Sequence, residues 1–563
     1  MAAPSTPVGD AAFFGHPRGL STLFFAELWE RFSYYGMRAI LILFMTAAVT
    51  QGGLGFPTDK AGLIYGTYTS MVYLMSVPGG WLADKFLGLR KAILLGGIII
   101  MAGHICLAIP SLVTFYLGLI FVVLGTGLLK PNISAIVGDL YSRDDARRDA
   151  GFSIYYMGIN LGAFLAPLVV GWLAQSEQFR GILSGMGLKP ENSWHFGFAA
   201  AAVGMAAGLI WYVVGWKHLG EAGAHSSKPA SPEAAKRQRR ILQIGLGGTV
   251  SLIGLVAVLA GTGALILTPE KVGVVFKIIL ALTPVVLFPS LYYFGGFNPQ
   301  EKKQLIVIMV LFFGAAVFWS VFEQAGSTLN LFSDRNTDNS ITTSFAVFMS
   351  LVLIAPVFLA VRWVRDLESR TPMSLAFASL VTVAAAVGIY FLFSRRGESF
   401  PSSFFQSTNA LFIVVLAPVF ATLWTTWGAR QPSSPAKFTV GILFVALGFA
   451  ILIPATMMSA NGVKVSPMWL IATYMLHTLG ELCLSPVGLS TMTKLAPQRI
   501  AGLVLGIWFL AASVGNLIAS IPASLYESMP LVKLFSAVTG VALVATVLMA
   551  LSIGPIRRML ARD

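Results

Sequence analysis

Four ionisable residues, Glu27, Glu30, Arg31 and Arg38, lie close together in an apolar run that starts near Leu20 and continues to about Val49. At membrane depth an ionised side chain costs roughly 2.5 to 3.5 kcal/mol on insertion scales unless it pairs or faces water. On a helix, Glu27, Arg31, Tyr34, Tyr35 and Arg38 fall on one face. Such a face can line a polar cavity while Leu, Ile and Phe meet lipid. A self-neutralising ladder that only holds helices together is the plainer alternative, but intramembrane charges usually mark a substrate or ion path.

Other spans carry matching chemistry. Lys130, in Gly125-Thr126-Gly127-Leu128-Leu129-Lys130-Pro131-Asn132, sits too deep in an apolar run to snorkel and needs an anion nearby. The glycines before it do not make a phosphate loop, because the Gly-Lys-Ser/Thr ending and a preceding strand are missing. Asn160 brings donors and an acceptor to membrane depth in the next run. The second half of the chain supplies acids: Glu323, one helical turn from Trp319, and Glu481 in Gly480-Glu481-Leu482-Cys483-Leu484-Ser485-Pro486. Cations in the first half and carboxylates in the second predict a cavity between two bundles, with Tyr34, Tyr35, Tyr68, Trp319 and Trp508 available as walls. A zwitterion with separated ends fits such a site electrostatically. A proton fits as well: a buried carboxylate without its partner is protonated more readily than a paired one, so remaking pairs couples protonation to movement.

The elements that must position these residues follow from composition. The chain of 563 residues is 56% hydrophobic and 11% charged, with a mean hydropathy of +0.78, which excludes a soluble globule and predicts an all-α polytopic membrane protein. Its net charge of +14 does not point to nucleic acid, because about 25 Lys and Arg fall on one set of alternate loops and about 9 on the other, as the positive-inside rule requires. Only Arg395 and Arg396 dissent locally. Residues 1–19 carry no signal-peptide pattern, so both termini are expected in the cytoplasm of a cell whose inner membrane holds the chain.

Apolar runs of about 20 residues divide the chain into a tail (1–19), a first six-helix bundle (20–217), a cytoplasmic linker (218–240) and an interposed hairpin (241–296). A second six-helix bundle follows (297–563), with an inserted apolar pair at about 344–394, for about 14 to 16 transmembrane helices. Cys106 and Cys483 read as small core residues, and the six scattered histidines form no metal-ligand cluster. Neither an enzyme nor a metal site is expected.

Two resemblances sharpen this reading. The turn Gly80-Trp81-Leu82-Ala83-Asp84-Lys85 resembles the Gly-x-Leu-Ala-Asp-Arg loop of the major facilitator superfamily. Six further motifs, in order along the chain, resemble the proton-dependent oligopeptide transporter family: Glu-x-x-Glu-Arg-Phe-x-Tyr-Tyr from Glu27, Lys130-Pro131-Asn132, the aromatic-x-x-x-Asn-x-Gly pattern ending at Gly162, Phe322-Glu323-Gln324-Ala325-Gly326, Phe405-Gln406-Ser407-x-Asn409, and Gly480-Glu481-x-x-Leu484-Ser485-Pro486. The resemblance implies a major facilitator fold and symport of di- and tripeptides with protons by alternating access, driven by the proton gradient with no cofactor and by a monomer. It implies proton coupling by Glu27, Glu30 and Arg31 with Glu323. Arg31, Tyr35 and Lys130 would hold the peptide carboxylate, and Asn160, Asn409 and Glu481 its amino end. Tyr68, Trp319 and Trp508 would line side-chain pockets, and the pairs Arg38–Glu323 and Lys130–Glu481 would act as gates. Transport of another small anion or zwitterion, or drug/proton antiport, are the alternatives. The sequence departs from the family pattern in the pair at 344–394 and in Phe405, where Trp is usual.

Overall fold

The computed structural model describes residues 12–142, 145, 147–224, 231–262, 268–366, 372–497 and 501–560. Most of the expected N-terminal tail and the middle of the linker lie outside the described residues. The first half contains α1 (Arg18–Thr46), α2 (Thr58–Leu74), α3 (Ser76–Leu82), α4 (Leu89–Leu107), α5 (Leu112–Asp139), α6 (Arg148–Gln175), a short α7 (Glu177–Gly185) and α8 (Ser193–Gly215). Two helices then form the interposed hairpin, α9 (Pro232–Gly261) and α10 (Pro269–Phe294). The second half contains α11 (Pro299–Phe322), α12 (Thr328–Arg335), α13 (Thr343–Asp366), α14 (Pro372–Ser394), α15 (Gln406–Trp427), α16 (Ser434–Ala450), α17 (Leu452–Ser459), α18 (Met468–Leu495), α19 (Ala501–Ser524) and α20 (Leu531–Leu560). There is no strand among the described residues.

Thirteen described helical segments are long and apolar enough to cross a membrane. The ionisable residues of α1 keep it off that tally, the second expected span is broken at Met75 into α2 and α3, and α9 is a further helix that the tally does not include. Adding these three reaches the upper end of the expected number. The pair expected at 344–394 is helical throughout its described residues, as α13 and α14. Helix α9 starts at Pro232, so the cluster Lys236, Arg237, Arg239 and Arg240, assigned above to the linker, is its first turns. Proline at N1 with Glu233 behind it explains that earlier start.

Within the first bundle α1 packs against α6 and α8, and α4 against α5. In the second, α16 lies between α18 and α20, while α11 packs on α19. Helix α2 meets α19 and α6 meets α15 across the two bundles. Small residues let backbones approach closely, as membrane packing favours. A Cβ on Gly79 would stand 2.0 Å from the Gly127 carbonyl oxygen, so α3 and α5 touch backbone to backbone just where Lys130 must turn into the bundle.

Helix α11 also breaks. After Phe322 the chain makes a tight 3-10 turn over Glu323–Gly326, and Ser327 takes φ −128°, ψ −90° before α12 resumes. A Cβ on Gly326 would lie 1.9 Å from the Tyr65 hydroxyl and 2.8 Å from Arg38 Nε. The apolar stretch that opens the second bundle is therefore two helices, broken where its glutamate meets the opposite bundle.

Candidate functional site

Helix α1 delivers its charged face into the centre of the molecule. Glu27, Glu30, Arg31 and Arg38 are all buried. Arg31 Nε forms ion pairs with Glu27 Oε1 at 3.0 Å and with Glu30 Oε2 at 2.5 Å. Glu30 Oε1 and Arg31 Nη2 are buried and have no hydrogen-bond partner among the described residues. Buried polar groups are ordinarily satisfied, so this cluster is incomplete without something that accepts from Arg31 or donates to a glutamate. The Arg31 guanidinium carbon stands 5.6 Å from the Tyr34 ring centroid.

Two turns further along, Arg38 pairs with Glu323 across the bundles through Nη2 and Oε2. Its Nε donates to the Tyr65 hydroxyl at 2.8 Å, and its guanidinium carbon lies 5.9 Å from the Tyr35 ring centroid. This buried ion pair joins the two residues expected to meet across the bundles.

The second expected pair is not formed. Lys130 Nζ instead stands 3.7 Å from the centroid of the Tyr73 ring. Glu481 accepts a hydrogen bond from Asn409 Nδ2 at 3.1 Å, and the same amide lies 2.9 Å from Thr478 Oγ1. Asn160 donates to the Tyr156 carbonyl at 2.9 Å, within its own helix. The correction has a geometric reason, because the polar ties between the bundles gather at one end of the molecule. Asn330 of α12 donates to the Ala39 carbonyl at 2.8 Å, and Ser402 Oγ links Asp334 at 2.8 Å to Gln175 at 3.0 Å. Glu527 accepts from Thr58 at 2.5 Å and from Arg335 at 2.7 Å. Adjacent residues of α12, Asp334 and Arg335, thus fasten the two sides of the mouth near the end of α1. Away from these ties, Lys130 rests on Tyr73 and Glu481 on Asn409 rather than on each other.

The wall residues divide. Trp319 points its Nε1 into the interior with no partner among the described residues, and lies edge-on to Phe322 at 5.5 Å. Tyr35 is half-buried beside Arg38. Trp508 is packed onto Gly488, where a Cβ would meet its ring at 2.5 Å, so it belongs chiefly to the α18–α19 interface. Tyr68 is buried, and its hydroxyl has no hydrogen-bond partner among the described residues. Phe405 is buried against Phe400, 5.4 Å between centroids.

The residue missed by sequence reasoning is Tyr73. Its hydroxyl lies 3.4 Å from Glu323 Oε1 while its ring carries Lys130, so one side chain touches both the Arg38–Glu323 pair and the lysine. Tyr65 and Tyr474, whose hydroxyls meet Arg38 and the Ala325 carbonyl, were missed as well. The signal was the tyrosine spacing of α2. Tyr68 and Tyr73 lie five residues apart and so on different faces, and sequence alone did not fix which face meets α5.

The profile of the POT family (PTR2) matches residues 90–364 and 394–540. The chain belongs to the POT family. An uncharacterized transporter of Bacillus subtilis, YclF, is 39% identical over 95% of this chain and 94% of its own length. The peptide transporter YePEPT of Yersinia enterocolitica is 36% identical, covering 99% and 97%. A di-/tripeptide transporter of Lactococcus lactis is 34% identical over 94% of each. Among solved structures, a peptide transporter POT in complex with sulfate superposes with a TM-score of 0.79 at 37% identity, covering 98% of this chain and 97% of that one. A POT family transporter in complex with a thioalcohol-conjugated peptide gives 0.79 at 31%, covering 98% and 99%. The fold is accordingly that of the major facilitator type, and this POT chain is an integral membrane transporter. Its family match skips residues 365–393, which include almost all of α14.

Proposed function

We propose that this POT family member is a proton-coupled symporter that imports di- and tripeptides by alternating access. The observation that carries the reading is the split site: an incomplete Glu27–Glu30–Arg31 cluster and a carboxylate-free Lys130 on one bundle, with Asn409–Glu481 on the other. A peptide's carboxylate is drawn to Arg31 and Lys130, its ammonium to Glu481 and Asn409, and Asn160 adds an amide between them. Di- and tripeptides are the substrates named for Lactococcus lactis relatives that match over 94% of this chain.

Proton coupling follows from the same atoms. Glu30 and Glu27 share one guanidinium, so a peptide carboxylate that takes Arg31 leaves a buried carboxylate without its cation. That group then takes a proton, because isolated burial disfavours the charged form. On the far side of Tyr73, Glu323 is the acid whose protonation would release Arg38 and open the closed mouth. The cycle needs only the proton gradient and no cofactor. A monomer in the inner membrane with both termini in the cytoplasm completes the reading.

The test is uptake into proteoliposomes. An inward proton gradient should drive accumulation of a dipeptide, and a varied panel of di- and tripeptides that shows no gradient-dependent accumulation would refute the assignment. A neighbouring POT structure at 30% identity was solved with 5-aminolevulinic acid, so small zwitterions belong in the competition panel. Proton flux opposite to substrate flux would favour the antiport alternative.

A further inference from the structure

We propose that the lipid-facing junction of α15 and α16 holds the phosphodiester headgroup of an anionic phospholipid, with Lys437 as its cation. Lys437 stands in the first turn of α16 and is 7% exposed. Its ammonium donates to Gln431 Oε1 at 2.7 Å and lies 4.1 Å from the centroid of the Trp424 ring. Neither neighbour neutralises it, and no carboxylate forms an ion pair with it among the described residues. A buried charge without a counter-ion is costly. The molecule offers an internal parallel: Lys130 is likewise set on an aromatic face, with no carboxylate ion-paired to it among the described residues.

The open side of Lys437 is different. Helix α15 is buried over only 22% of its spanning window, and Trp427, 5.7 Å from Trp424, is 45% exposed. Paired indoles at a helix end mark the headgroup layer of a bilayer. Ser433, whose carbonyl accepts from the Lys437 amide at 2.9 Å, keeps a buried Oγ with no hydrogen-bond partner among the described residues. Arg430, in the turn between the two helices, is exposed. Swinging the exposed Gln431 side chain aside brings an ammonium, a hydroxyl and a guanidinium to one anion, while Trp424 and Trp427 rest on the acyl region. A phosphate with an acyl tail uses both halves of that arrangement. A free phosphate uses one.

The purified full chain is reconstituted in nanodiscs of phosphatidylcholine alone or with added phosphatidylglycerol. Phosphatidylglycerol should raise the apparent unfolding midpoint of the wild type by roughly 3 °C or more. Lys437→Met should abolish the increment and Lys437→Arg retain it, while millimolar inorganic phosphate in detergent should give none. As a milder variant, Ser433→Ala should at least halve the phosphatidylglycerol that remains bound in native mass spectrometry. An increment undiminished in Lys437→Met, or bound lipid undiminished in Ser433→Ala, overturns the proposal. An equal response to inorganic phosphate overturns the lipid assignment.

Discussion

Arg31 serves two glutamates at once, and the consequence is competition. A substrate carboxylate that bound Arg31 would compete with them for the guanidinium charge. Glu27→Gln or Glu30→Gln should therefore suppress gradient-driven uptake far more than peptide exchange; equal loss of both activities would make these residues structural. Tyr73 separates in the same way into a ring and a hydroxyl. Tyr73→Leu removes the face under Lys130, an interaction worth about 0.5 to 2 kcal/mol, and peptide affinity should fall roughly 2- to 30-fold. Tyr73→Phe keeps the ring and should lie within about threefold of wild type, losing only the longer contact to Glu323. Titration of peptide binding in detergent distinguishes the two, and similar affinities for both variants would show that the ring does not support Lys130.

At the scale of elements, α12 ties the two bundles together. It resumes after the glycine-containing break that begins at Glu323, and its last two residues hydrogen-bond to opposite sides. Glu527 lies in the turn between α19 and α20, and hydrogen bonds from Thr58 and Arg335 hold its carboxyl below the usual range. A depressed carboxylate favours the latched form at pH above its unlatched value, and that contribution is lost as pH falls through the latched one. Acid on this side of the membrane should accordingly loosen the latch, and Glu527→Gln should mimic acid. Spin-label distances between the α2 and α19 ends measure this: they should broaden at low pH in wild type, and a pH response preserved in Glu527→Gln would assign it to another group. The α3–α5 approach makes a separate demand. Gly79→Ala places a methyl on the Gly127 carbonyl and should destabilise the bundle by about 1 to 3 kcal/mol, read as a lower apparent unfolding midpoint in detergent; an unchanged midpoint would mean that the two helices part without cost.

For the whole molecule, α13 and α14 stand outside the transport core. Their outer ends close on each other: Ile341 donates to the Glu398 carbonyl at 3.0 Å and Phe400 to the Asn339 carbonyl at 3.0 Å. The spanning window of α14 is only 6% buried. At the other end Phe14, in a left-handed conformation at φ 52°, packs between Trp363 and Phe377 at 5.7 and 5.9 Å. Replacing residues 342–396 by a short turn leaves the central site untouched, and uptake in proteoliposomes should stay within about twofold of wild type, as for surface changes away from packed groups. Loss of uptake in a variant that still folds would give the pair a part in the cycle.

The sequence by itself determined the class of fold and the inventory of chemistry. Long apolar runs can satisfy their backbone in lipid only as helices, and charges inside them need partners or a cavity, so Glu27, Glu30, Arg31, Arg38, Lys130, Glu323 and Glu481 stood out before any coordinate. Which of them meet was decided by tertiary structure. Pairing across the bundles depends on the tilt of one bundle against the other, which no local pattern encodes, and in this state it joins Arg38 to Glu323 while leaving Lys130 on Tyr73. The choice of Tyr73 over Tyr68 beside that lysine rests on which face α2 turns to α5. The break in α11 rests on the space that Gly326 leaves for Tyr65 and Arg38 from the other bundle. Helical periodicity fixes neighbours within a helix, whereas a transporter's site lies between helices far apart in sequence.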